Sequence, residues 1–109
     1  MKVSRSYHPV SRAAGGLRGA QIREARVARG WTQRELAERV GATPGTIGKV
    51  ERGDLTVGVG VVFDAAVIVG VPLFVEDRPR LTAEIDRARE VLALLPRRVR
   101  SDRQVDDAF

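Results

Sequence analysis

The sequence contains no cysteine and a single histidine, His8. The first absence excludes a disulfide framework, thiolate zinc ligands and a thiol nucleophile. One histidine without partners does not make a metal site, so no metal or other cofactor is expected. Lysine is almost missing too: among 19 basic residues only Lys2 and Lys49 are not arginine. No apolar run follows the basic residues at the start, so that segment does not read as a secretory signal. Catalytic constellations are also wanting. There are no paired carboxylates in a plausible pocket, no nucleophile with a base and no glycine-rich phosphate loop. Gly58-Val59-Gly60 is a fragment of a dinucleotide fingerprint that lacks its third glycine and a surrounding βαβ unit. The expectation is a protein that is not an enzyme. Internal repeats are absent as well.

One stretch calls for a membrane test. Residues 57–75 carry a single charge, Asp64, but also three glycines and Pro72. A central aspartate costs about 2.5–3.5 kcal/mol on insertion scales. The segment is therefore expected to be core rather than membrane span, and the chain to be cytoplasmic.

What the sequence does have is positive charge. Its 19 basic residues face 14 acidic ones, a net charge of +5 and a pI near 10.9. The excess is concentrated in residues 1–34, with eight basic side chains and one acid, Glu24. The rest of the chain is slightly net negative. A cationic front on a neutral body suits a phosphate-facing surface. With 109 residues the chain has room for one compact domain with tails. A core of that size is marginal, and helical domains this small often lean on dimerisation.

Four glycines punctuate the middle of the chain. Gly30, Gly41, Gly53 and Gly70 each follow a segment of helical length, where glycine supplies the left-handed residue that closes a helix. Four short helices are expected, over about 19–29, 33–40, 44–51 and 59–69. Thr32 and Glu35 make a capping box, with Trp31 and Leu36 as a hydrophobic staple. Thr43 is the next cap and Pro44 the first helical residue. Only Gly41 and Ala42 separate these two helices, which is the tight turn of a helix-turn-helix. Leu36, Ala37 and Val40 share one face, and Ile47 and Val50 share another. The fourth segment is rich in valine and by propensity alone reads as strand.

Residues 1–16 have basic, Ser, Gly and Pro character and read as a flexible basic arm. Beyond Pro79, Leu81, Ile85, Ala88, Leu92 and Leu95 recur at spacings of four and three, a heptad-like seam on a fifth helix within 77–96. Its expected role is packing on the apolar side of the fourth helix or dimerisation. Pro96 ends it, and residues 97–109 read as a flexible tail.

The run Arg26-Val27-Ala28-Arg29-Gly30-Trp31-Thr32-Gln33-Arg34-Glu35-Leu36-Ala37 resembles the Cro/repressor (XRE-like) helix-turn-helix family. The likeness continues through Val40-Gly41-Ala42-Thr43 and Ile47-Gly48-Lys49-Val50-Glu51-Arg52-Gly53, and then through Ala65-Ala66 and Val69-Gly70-Val71. It implies an all-α, lambda-repressor-like bundle: four short helices forming a DNA-binding domain over 17–76, plus the fifth helix. It assigns Arg26 and Glu51 to a buried ion pair and sets Gln33 against a DNA phosphate at a helix N-terminus. The third helix would enter the major groove with Pro44, Gly45, Thr46, Gly48 and Lys49 facing outward. Thr43 belongs to the same DNA-binding set, and Arg52 is a candidate phosphate contact. Pro44 and Gly45 offer no side-chain hydrogen bond, which leaves Lys49 to reach a base edge.

The ending Leu94-Leu95-Pro96-Arg97-Arg98-Val99-Arg100, with Val105-Asp106-Asp107-Ala108-Phe109, resembles antitoxins of the HipB type. That likeness implies a homodimeric repressor of its own operon that also binds a HipA-type serine/threonine kinase toxin. Arg97, Arg98, Asp106, Asp107 and Phe109 would be the partner-binding residues. The alternative is a stand-alone XRE-type regulator, or a phage or restriction controller, with double-stranded operator DNA as its partner and no toxin.

Overall fold

The computed structural model describes residues 6–75 and 77–99. Among the described residues it contains five helices and no strand: α1 (Pro9–Ala28), α2 (Gln33–Val40), α3 (Pro44–Glu51), α4 (Val59–Val69) and α5 (Arg78–Leu94). The chain divides into two units, Met1–Leu73 and Phe74–Phe109.

In the first unit α1 and α2 each pack on α3 and on α4, and α2 and α3 lie side by side through their short turn. Ile22 of α1, Leu36 and Ala37 of α2, Ile47 and Val50 of α3, and Ala65, Ala66 and Val69 of α4 form one buried core. Ile22, Leu36 and Ile47 are wholly buried, each burial contributing about 1.5–3 kcal/mol. Trp31 packs against this cluster. The guanidinium groups of Arg39 and Arg29 stand 4.0 and 5.2 Å from its ring centroid.

The helix ends follow the local chemistry. Gly30, Gly41, Gly53 and Gly70 all have positive φ, between 75° and 87°. At Gly41 (φ 84°) the αL conformation lets the Gly41 and Ala42 amides both return to the Ala37 carbonyl, closing α2 and turning the chain into α3. The valine-rich α4 is a helix although its β-branched residues favour strand. Its small residues Ala65 and Ala66 are buried against the other helices, so tertiary packing outweighs local propensity. Val59 and Val67 of the same helix are exposed.

The first helix is longer than the sequence pattern suggests. The expected arm over 1–16 is corrected from Pro9 onward, since residues 9–16 are the opening turns of α1. Pro9 has its φ preset for a helix start, and the His8 ring Nδ1 accepts the Val10 amide at 3.0 Å. Close backbone approach then holds the extension down. A Cβ on Gly19 would collide with the carbonyl oxygens of Val50 and Glu51, so only glycine lets α1 lie this near the end of α3. The Arg18 guanidinium donates to the carbonyls of Pro72 (2.7 Å) and Leu73 (3.2 Å), tying the same helix to the segment after α4.

In the second unit Asp77 caps α5 by accepting the Arg80 amide at 2.8 Å. No residue of α5 is buried. The helix ends at Leu94, and Leu95 is extended (ψ 158°). The residue before a proline is pushed out of the helical region, so Pro96 removes Leu95 from the seam. Leu81, Ile85, Ala88 and Leu92 remain on the helix.

Candidate nucleic-acid interface

The site is the hairpin of α2 and α3 together with the C-terminal half of α1 that braces it. Two capping threonines set its geometry. Thr32 accepts the Glu35 amide through Oγ1 at 3.0 Å, and the Glu35 carboxylate accepts the Thr32 amide at 2.8 Å. These hydrogen bonds hold the Glu35 carboxyl below its usual range. The box leaves Gln33 and Arg34 exposed on the first turn of α2, where free N–H groups and the helix dipole favour an anion. Thr43 Oγ1 accepts the Thr46 amide at 3.1 Å, and the two threonine hydroxyls are 3.0 Å apart. Thr46 is thus half-buried and already hydrogen-bonded within the turn, so its hydroxyl is less available to a ligand than an outward threonine's.

A buried ion pair fixes α3 against α1. Arg26 Nε donates to Glu51 Oε2 at 2.6 Å and Arg26 Nη2 donates to Oε1 at 3.1 Å. The remaining Arg26 Nη1 donates to the Trp31 carbonyl at 2.7 Å. Gln33 Nε2 of α2 also donates to Glu51 Oε1, at 3.2 Å. One carboxylate therefore joins three helices, and among the described residues no buried side-chain nitrogen or oxygen lacks a hydrogen-bond partner.

Gly48 does not face outward as expected. It is buried, and a Cβ there would lie 3.3 Å from Arg52 Nη1 and 3.9 Å from the Gln33 amide atoms. The Gln33 and Arg52 side chains cross above it because Gly48 has none. Gln33 and Arg52 are both expected at DNA phosphates, from different helix ends; the structure brings both side chains against the buried glycine. Nothing local in the sequence signals this, since the contact joins the first residue of α2 to the C-cap of α3.

The remaining candidates are open. Pro44, Gly45 and Lys49 are exposed. The Lys49 ammonium enters no hydrogen bond or ion pair among the described residues. Its charge, with that of Arg52, helps lower the Asp54 carboxyl, which is held down first by hydrogen bonds from Thr56. Exposed cationic groups thus occur at Arg34, Lys49 and Arg52 around one helical hairpin. Arg97 and Arg98 are exposed and belong to the second unit. Asp106, Asp107 and Phe109 lie outside the described residues. Among the described residues no cluster of His, Asp and Glu has metal-site spacing, and no helix is long and apolar enough to cross a membrane.

Residues 22–75 match the helix-turn-helix family HTH_3. No curated protein and no solved structure matches the chain.

Proposed function

We propose that residues 22–75, which match the helix-turn-helix family HTH_3, form an XRE-like DNA-binding domain, and that the chain is a sequence-specific transcriptional repressor that binds operator DNA as a symmetric dimer. The observation that supports this most is the α2–α3 hairpin itself. It is braced by Arg26 and Glu51, and Gln33, Lys49 and Arg52 are exposed on it. In this reading the α2 N-terminus and Arg52 meet phosphates, and α3 lies in the major groove with Lys49 at a base edge. Side-chain readout by α3 is sparse, because Pro44 and Gly45 carry no donor. DNA shape and half-site spacing then supply much of the discrimination. Two half-sites are needed because one hairpin reads too few bases.

Mobility-shift titration of the full chain with its own promoter, across a salt series, tests the proposal. Specific binding with a steep salt dependence is the expected result. Binding no tighter than to a scrambled duplex would exclude a sequence-specific repressor. A kinase toxin partner finds support only in the tail motifs at 94–100 and 105–109. Its test is co-purification with a HipA-type kinase encoded beside the gene, with and without residues 97–109. Loss of the complex on truncation is the expected outcome, and no complex with the full chain would leave a stand-alone regulator.

A further inference from the structure

We propose that α5 pairs in parallel with α5 of a second copy of this chain, and that Glu84 and Arg89 set that orientation. The inference rests on the dimeric DNA-binding reading and adds to it which helix joins the copies and in which direction. Leu81, Ile85, Ala88 and Leu92 form a stripe along α5. Ile85 is 40% and Leu92 66% exposed, and Leu81 is half-buried. Such a seam at heptad spacing fits a like helix, with Ile85 and Leu92 at one class of core position and Leu81 and Ala88 at the other.

The flanking charges select the occupant and its direction. Glu84 precedes Ile85, and Arg89 follows Ala88, five residues further on. In a parallel pair those two flanking positions face each other across the interface, so each Glu84 meets Arg89 of the other copy, twice by symmetry. An antiparallel pair that matches Ile85 with Ala88 sets Glu84 against Val91 and Arg89 against Thr82, and both charges go unpaired. The complementarity thus exists between two copies of this helix and only in the parallel sense. Two heptads make a weak isolated coil, so α5 joins chains whose domains also engage neighbouring half-sites.

Sedimentation of the full chain without DNA, with far-UV circular dichroism as the folding control, tests the pairing. The wild type is expected to self-associate to a dimer at high micromolar concentration. Glu84→Arg should raise the dimer dissociation constant roughly tenfold, and so should Arg89→Glu, because each sets like charges together. The Glu84→Arg/Arg89→Glu chain restores opposite charges and should return to near the wild-type value. A monomer at all concentrations, or a dimer indifferent to both single reversals, overturns the proposal, as does a double variant no tighter than the singles. Loss of operator binding with this pattern intact would count against the DNA-binding reading instead.

Discussion

Arg26 of α1 and Glu51 of α3 meet in a two-point ion pair, at 2.6 and 3.1 Å, and Gln33 of α2 donates to the same carboxylate at 3.2 Å. The pair sits behind the hairpin, and both residues are largely buried. Removing one partner strands the other charge without its counter-ion. Arg26→Met and Glu51→Met are each expected to destabilise the fold by about 3–5 kcal/mol, whereas the two changes together should cost much less than the single changes summed. Urea denaturation of the four chains measures the coupling. Additive losses would mean that the two side chains act independently.

Gly48→Ala separates folding from binding at the same place. Alanine gains about 1 kcal/mol of helix propensity over glycine. Its Cβ presses on the mobile end of Arg52, at 3.3 Å, rather than on backbone. Stability should hold or rise while DNA affinity falls, because Arg52 must shift from above the glycine whereas Gln33, at 3.9 Å, keeps an ordinary contact. Thermal melting and anisotropy titration read the two effects. Unchanged affinity would place Arg52 off the interface.

Lys49 and Arg52 should differ in kind. Lys49→Ala is expected to weaken specific binding more than nonspecific binding. Arg52→Ala should weaken both alike and reduce the salt slope by about one unit. Equal losses for Lys49→Ala on specific and scrambled duplexes would reassign it to the phosphate backbone.

Acid should loosen the start of α2. The Thr32 hydrogen bonds lower the folded-state pKa of Glu35. A depressed carboxyl pKa gives stability that is fully present above the unfolded value, about 4.3, and is lost as pH falls through the lower folded value. Glu35→Gln, which keeps a capping acceptor, should therefore flatten the decline of stability below about pH 4.3. The check is a set of urea midpoints from neutral pH to pH 3. A decline unchanged from wild type would assign the acid sensitivity to other carboxylates.

Much of this architecture is legible from local signals. Thr32, Glu35, Thr43 and Pro44 mark helix starts through hydrogen bonds within three residues, and Gly41 and Gly70 mark ends through backbone conformation alone. The bounds of α2 and α3 follow from such short-range chemistry, as does the end of α4 at Gly70. The start of α4 has no side-chain cap, and its helix rests on packing. The start of α1 does not follow from local signals either. Its added turns are held by Gly19 against the carbonyls of Val50 and Glu51 and by Arg18 against those of Pro72 and Leu73. Those contacts span 31 to 55 positions in sequence and leave no apolar period to read. The Pro9 start was the available clue. Gly48 escapes for the same reason: its burial comes from side chains at Gln33 and Arg52, not from its own place on α3.

The most direct test of a DNA-reading hairpin is the affinity of the full chain for a duplex enriched from a random-sequence library, compared with a scrambled duplex of equal length at fixed salt. A two-fold symmetric motif bound roughly 10³-fold or more tighter is expected, with Lys49→Ala lowering that ratio about tenfold and leaving the part set by DNA shape and half-site spacing. A ratio near one, or a ratio unchanged in Lys49→Ala and Arg52→Ala combined, would contradict a DNA-reading hairpin.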